Sequence, residues 1–144
     1  MTREVFTADE ARTYWDDRHA TASSLGSGGS IGFAESLNAL LYAVQTARIA
    51  EALDYAWDAY VPLHVLDAGC GRGVFSRELS KFGYRVDGID TSKVGIEEST
   101  ASAQPGDRFA VSALQDWQPG YLYDAVICIN VLYHIVDDGE WEAS

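Results

Sequence analysis

The chain has few basic residues. Lysine and arginine together number 10, against 22 aspartates and glutamates, so the 144-residue chain has a formal net charge of −12. Nucleic acids and anionic membranes bind proteins largely through lysine and arginine, so this balance argues against both as partners. We therefore expect the partner to be a small molecule, with no nucleic acid and no membrane involved.

Cysteines and long apolar runs are also scarce. Cys70 and Cys128 are the only cysteines, and neither has the spacing of a metal site, so we predict no metal and two reduced thiols. The first residues, MTREVFTADEARTYW, are charged and lack the apolar core of a signal peptide. The apolar run at 125–136 is too short to cross a bilayer. These absences predict a cytoplasmic protein.

Residues 1–60 are predicted to form a helical lid over a second unit, residues 61–144. Residues 8–20 indicate a short acidic helix, and residues 21–32 contain four glycines, which is typical of a flexible loop. A long helix should follow and end before Pro62. Its apolar face is predicted from residues that recur near helical spacing: Phe33, Leu37, Leu40, Leu41, Val44, Leu53 and Trp57.

Strands and helices are predicted to alternate in residues 61–144. The strands are expected at 63–67, 84–89, 108–111 and 123–130, and the helices at 74–82, at 94–103 and from Leu132. This alternation predicts an α/β fold whose parallel sheet is built from right-handed βαβ units.

Two motifs indicate a nucleoside ligand. In VLDAGCGRG, residues 65–73, a strand leads through three glycines into a helix, and glycine lets a ligand approach the backbone closely. In GID, residues 88–90, Asp90 ends the next strand, where an acid accepts hydrogen bonds from ribose hydroxyls. The alternative role for Asp90 is to cap the following helix. A dinucleotide fingerprint would need glycine at position 74, which is Val74, so an NAD-type oxidoreductase is disfavoured.

With Asp67 two residues ahead, the glycine motif resembles the first motif of class I S-adenosylmethionine (SAM) dependent methyltransferases. YDAVICINVLYHI, residues 123–135, resembles their fourth motif. YWDDRH, residues 14–19, is similar to the N-terminal helices of some small-molecule methyltransferases. The resemblance covers about residues 10–136. It implies a Rossmann-like sheet in the order 3-2-1-4 and methyl transfer from SAM to an oxygen, nitrogen or carbon of a small molecule, with S-adenosylhomocysteine (SAH) as product. A module that binds SAM without turnover is the other possibility.

The resemblance also implies roles for individual residues. The methionine part of SAM would meet the backbone of Gly69, Cys70 and Gly71, with Asp67 near its ammonium group and Asn130 beside its amine. The ribose and adenine would meet Asp90, Thr91, Ala113 and Leu114, with either Ser112 or Asp116 at the adenine amine. Residues expected to cover the cofactor or hold its carboxylate are Tyr14, Trp15, Arg18 and Arg48. The candidate general base is His134.

Each of these roles has a structural alternative. Asp67 could anchor the loop, Asn130 could form a turn, Arg48 could be a solvated helix residue and His134 could pack in the wall of the site. The helix that carries Tyr14 could simply pack on the domain.

The resemblance further implies seven strands, of which this sequence supplies four. We therefore expect an N-terminal fragment that lacks the C-terminal strands. Its strand 123–130, apolar on both faces, is expected to associate with itself or with a companion fragment.

Overall fold

A single parallel sheet organises the chain. The computed structural model describes residues 7–56 and 61–135. Within this part of the chain the sheet has four strands in the order β3-β2-β1-β4, which confirms the predicted order. The strands are β1 (His64–Ala68), β2 (Arg85–Asp90), β3 (Arg108–Val111) and β4 (Ala125–Ile127). The strand order reverses between β1 and β4, and open α/β sheets bind ligands at the carboxyl edge beside such a reversal.

Helices precede the sheet and connect its strands. They are α1 (Ala8–Thr21), α2 (Ser24–Gly28), α3 (Glu35–Ala56), α4 (Val74–Lys81) and α5 (Lys93–Ala101). Thr7 and Glu10 form a capping box that fixes the start of α1. The prediction of a flexible loop throughout residues 21–32 was wrong, because Ser23 caps α2 inside it.

The core lies on both faces of β1. On one face, Val65 packs with β2, β4 and the helices α3 and α4. On the other face, Leu66 and Ala68 pack with Ile89 and with partly buried side chains between residues 110 and 128. Burial on both sides makes β1 a rigid base for the glycine loop that follows it.

The apolar face predicted for α3 is largely exposed. Phe33, Leu37, Leu40, Leu41 and Val44 all lie in solvent, whereas the buried positions include Asn38, Thr46, Ile49 and Leu53. The inward side of α3 meets the core through Ile49 and Leu53, which pack with Val65. On the same side, the Asn38 side chain accepts a hydrogen bond from Ser30 N at 3.0 Å. Trp57, the last residue predicted on that face, lies outside the described residues.

The fourth strand is shorter than predicted. Regular pairing covers three residues rather than 123–130, and Val126 is 59% exposed on one face of the strand. The backbone then turns at Asn130, which has a φ of +60°. The helix expected from Leu132 appears as one 3-10 turn, Leu132–His134, and residues 136–144 lie outside the described part. No helix in the described ranges is long and apolar enough to cross a membrane.

Candidate functional site

A cleft opens at the carboxyl edge of the sheet, where the strand order reverses. The glycine loop, the ends of β2, β3 and β4, and one side of α1 form its walls. Most of the predicted site residues line it: Gly69, Cys70, Gly71, Asp90, Thr91, Ala113, Leu114, Asn130 and His134. Ser112 also lines the cleft, whereas Asp116 does not. The fold therefore brings together residues that lie far apart in the sequence.

The glycine loop is held against β2 by its backbone. Gly69 N and Cys70 N both donate to Ile89 O, at 2.8 and 2.9 Å. Gly69 has a φ of +80°, and a Cβ built there would overlap the side chain of Val131. Position 69 therefore needs glycine for its backbone conformation and for the close approach of the segment after β4.

Asp90 connects the loop to the cleft. Its Oδ2 accepts a hydrogen bond from Gly71 N at 2.8 Å, and its Oδ1 accepts one from Ser92 N at 2.8 Å. Each carboxylate oxygen keeps a further lone pair for a ligand hydroxyl. Burial raises the pKa of Asp90, and the two backbone donors oppose that rise. The residue that caps α5 is Ser92 rather than Asp90.

Asp67 lies beneath the loop instead of in the cleft wall. It is 1% exposed, and its Oδ2 accepts the Ser76 hydroxyl at 2.6 Å. Burial raises its pKa to about 6, with the Ser76 hydrogen bond opposing the rise. This placement fits the role of a loop anchor, and the predicted nearness to a ligand ammonium group stays a prediction.

Tyr14 and Arg48 do not line the cleft. Tyr14 is 41% exposed and accepts a hydrogen bond from Arg18 Nη1 at 2.9 Å. Arg48 pairs with Glu51 at 2.6 Å, and its side chain is 76% exposed. Their contacts with a cofactor stay predictions, which this placement outside the cleft does not support.

Other residues of α1 do reach the cleft. Ala8, Ala11, Arg12, Trp15 and His19 line it, and their spacing of three or four residues defines one helix face. Trp15 was among the residues expected to cover the cofactor. His19 had no readable partner in the sequence, although its position four residues after Trp15 places both on that face.

His134 packs against Trp15 in the wall of the cleft. The two rings meet edge to face with their centroids 4.9 Å apart. Burial, and secondarily the charge of Arg18, lowers the pKa of His134. The imidazole is therefore neutral near pH 7, which is the form that accepts a proton.

Several cleft residues were missed by the sequence reasoning. They come from α2, α3 and the segments after β3 and β4: Ser27, Gly28, Tyr42, Gln115 and Val131. Ser27, Gly28 and Tyr42 carry no local pattern, because they reach the cleft only through the packing of α2 and α3, and Gln115 and Val131 reach it through the chain path after β3 and β4.

Comparison with known proteins identifies the family. Residues 40–141 match the family described as "Methyltransferase domain". The ubiquinone biosynthesis O-methyltransferase of Rickettsia typhi is 30% identical over 95 residues, which cover 64% of this chain and 39% of the relative. The corresponding protein of Rhizobium rhizogenes is 38% identical over 79 residues, covering 52% and 32%.

A solved structure has the same arrangement. The magnesium protoporphyrin IX methyltransferase of Synechocystis PCC 6803, crystallised with bound SAM, matches with a TM-score of 0.67 and 27% identity. The match covers 92% of this chain and 65% of that protein. The chain thus spans less than two fifths of the curated relatives above and under two thirds of this structure. Because the family match extends over most of the sequence, the chain belongs to the methyltransferase domain family.

Proposed function

We propose that this chain is the cofactor-binding part of a SAM-dependent methyltransferase that acts on a small molecule. The observation that carries the proposal is the meeting of the glycine loop with Asp90 at the reversal of strand order. Membership of the methyltransferase domain family supports this reading over an NAD-type oxidoreductase.

The chemistry of the cleft fits SAM. Asp90 offers carboxylate lone pairs to a ribose diol, and glycine at 69 and 71 leaves backbone groups open to the ligand. Ala113 and Leu114 supply backbone for the adenine, and Asn130 with Gly69 forms the end assigned to the methionine part. Bound SAM supplies a methyl group on a sulfonium sulfur, which a nucleophile attacks in line.

The protein's contribution to such a reaction is mainly alignment. Holding the acceptor close and in line supplies much of the rate enhancement. Trp15 and His134 stand at the cleft, where the aromatic face suits a cation and the neutral imidazole can take a proton from the acceptor. The formal charge of −12 supports a small-molecule acceptor rather than a nucleic acid.

Two further expectations belong to this proposal. A cytoplasmic location is supported by the two free thiols, Cys70 and Cys128. Association through residues 123–130 is supported by the sheet edge, because among the described residues β4 pairs with β1 alone.

The binding of SAH tests the proposal directly. Replacing Asp90 with alanine should weaken SAH binding by about tenfold to a hundredfold, because hydrogen bonds to a charged group are lost. Isothermal titration calorimetry on wild type and variant measures the change, with the melting temperature recorded to establish that the variant is folded.

Asp116→Ala is the matched control. Asp116 is an exposed acid outside the cleft, so its removal changes the net charge equally without touching the site. Its affinity should equal that of wild type. A wild-type chain that does not bind SAH, or a folded Asp90→Ala variant with unchanged affinity, contradicts the proposal.

Helix α1 is expected to act as a lid. It docks on the start of α5 through Asp16, which accepts the Ser92 hydroxyl at 2.7 Å, and Arg72 of the glycine loop donates to Ala22 O at 3.2 Å. Ligand in the cleft should reinforce this docking, so amide hydrogen exchange in residues 8–21 should slow when SAH is added. Exchange in the part of α3 around Glu51, which does not line the cleft, serves as the internal reference. Unchanged protection of residues 8–21 at saturating SAH would contradict the lid.

A further inference from the structure

His19 is the most deeply buried residue of the α1 face that lines the cleft. It is 3% exposed and packs against two glycines that leave room for its ring. A Cβ at Gly71 would lie 3.3 Å from His19 Nε2, and one at Gly95 would lie 3.1 Å from Nδ1. The ring therefore sits directly on the backbone of the glycine loop and of α5.

The hydrogen bonds around Ser92 determine which nitrogen of His19 carries the proton. The Ser92 hydroxyl donates its single proton to Asp16 Oδ1 at 2.7 Å, since a carboxylate can only accept. Ser92 Oγ also accepts from Gly95 N at 3.1 Å. His19 Nδ1 lies 2.9 Å from the same oxygen, so Nδ1 must be the donor. In the neutral ring, Nε2 is then a free acceptor.

The neutral form of His19 is the one expected near pH 7. Burial lowers its pKa and is the largest influence. Asp90 and Asp16 raise the pKa, whereas Arg72 and Arg18 lower it, so the charged neighbours oppose one another. The ring therefore keeps its acceptor at neutral pH and loses it when acid protonates Nε2.

Nε2 lies beside the carboxylate predicted to bind ribose. The Cβ position built on Gly71 is 3.3 Å from His19 Nε2 and 4.0 Å from Asp90 Oδ2, so both acceptors flank one glycine at the cleft wall. Within residues 7–56 and 61–135, no group donates a hydrogen bond to Nε2. A vicinal diol carries two hydroxyl donors, which matches two adjacent acceptors.

We propose that His19 Nε2 accepts a hydrogen bond from one hydroxyl of the ribose diol while Asp90 accepts one from the other. The inference rests on the proposed function, because it names a second residue that recognises the nucleoside in the same cleft. His19 belongs to α1, so the diol is fully recognised only when the lid is docked. This makes His19 a specificity-determining residue that couples lid closure to ribose binding.

Two substitutions separate the nitrogens of the ring. His19→Asn places an amide N–H near the position of Nδ1, which preserves the donor to Ser92 and removes Nε2. His19→Gln places its amide oxygen near the position of Nε2 and removes the donor to Ser92. Comparing the two variants distinguishes a role of His19 in recognising the ligand from a role only in docking α1.

Calorimetry on the full chain with SAH, 2′-deoxy-SAH and 3′-deoxy-SAH provides the test. His19→Asn should weaken SAH binding by about threefold to tenfold, as expected for one neutral hydrogen bond. One of the two deoxy analogues should bind His19→Asn and wild type within about twofold of each other, because the hydroxyl that meets Nε2 is already absent. His19→Gln should retain more of the SAH affinity than His19→Asn.

The dependence on pH gives a second readout. Wild-type affinity for SAH should fall as the solution is acidified, because protonated Nε2 donates instead of accepting. The affinity of His19→Asn for SAH should not show the part of this decline that comes from protonation of His19. Equal weakening of all three ligands by His19→Asn, or no weakening of SAH, overturns the inference while leaving SAH binding by wild type intact. A wild-type chain that binds none of the ligands overturns the proposed function and the inference together.

Discussion

Replacing Gly69 with alanine should destabilise the fold by about 2–5 kcal/mol and remove measurable SAH binding. The φ of +80° alone costs an L-residue about 1–2 kcal/mol. The added Cβ would also overlap Val131, whose Cγ1 lies only 2.8 Å away, and overpacking of this kind costs about 1–3 kcal/mol. The loop cannot shift freely to relieve the overlap, because Gly69 N is bonded to Ile89 O at 2.8 Å.

Gly32→Ala is the matched control for this substitution. Gly32 has a similar φ of +84°, but nothing lies within 4 Å of its added Cβ. Gly32→Ala should therefore lower the free energy of unfolding only by the cost of placing an alanine at a positive φ. Urea denaturation measures the free energy of unfolding of both variants. Gly69→Ala should be less stable than Gly32→Ala by more than about 1 kcal/mol, and this difference represents the overlap with Val131. Equal stabilities would mean that Val131 moves aside, which contradicts the role assigned to this close approach.

The glycine loop could be predicted from the residues because it depends on a local pattern, whereas the strand order came from the resemblance to the methyltransferases. Three glycines between an apolar strand and a helix require a turn, and Asp90 at the end of the next strand reaches the same edge of the sheet. The prediction needed no knowledge of how the helices pack. The alternation of strands and helices predicted a parallel α/β sheet, and the resemblance implied its Rossmann-like order.

The helices were less predictable because their orientation depends on tertiary contacts. The side of α3 that faces inward includes Asn38 and Thr46, two polar residues that no apolar pattern marks. The predicted apolar face consequently lies in solvent at Leu40 and Val44. The exposure of Val126 has the same kind of origin, since the composition of β4 does not specify what covers it.

The assignment of α1 residues shows what helix geometry adds to a motif. Tyr14 and Trp15 are neighbours in sequence, and successive residues of an α-helix are rotated by about 100°, so both cannot face one cleft equally. Trp15 and His19 lie four residues apart and share the cleft face. Helical spacing from Trp15 therefore places His19 on the cleft face and Tyr14 away from it.

The stability of the chain should depend on pH through Asp67. Its folded-state pKa is about 6, against a usual value of 3.8, because burial disfavours the charged form. The folded state therefore binds a proton more tightly than the unfolded state does. The stability is highest when the carboxyl is protonated and declines as pH rises from about 4 to about 6. Because the folded-state pKa is about 2 above the usual value, the free energy of unfolding should fall by about 3 kcal/mol over this pH range.

Replacing Asp67 with asparagine should therefore raise the free energy of unfolding at pH 8 by about 2 kcal/mol. Asparagine removes the buried charge, and its side-chain oxygen can still accept the Ser76 hydroxyl, although its amide group needs a partner of its own. The advantage over wild type should vanish near pH 4, where Asp67 is protonated in the folded state. Urea denaturation at a series of pH values measures the difference in the free energy of unfolding between Asp67→Asn and wild type. Asp116→Asn, which replaces an exposed acid, is the control and should be no more stable than wild type at pH 8.

Asp67→Asn should also bind SAH more weakly than wild type at pH 8, because it lacks the negative charge predicted to lie near the ammonium group of the ligand. A gain in stability combined with a loss of affinity would mean that the buried charge serves binding at the expense of the fold. The contradicting outcome is that Asp67→Asn proves less stable than wild type at pH 8. That result would mean that the folded protein stabilises the Asp67 carboxylate by more than the one hydrogen bond from Ser76.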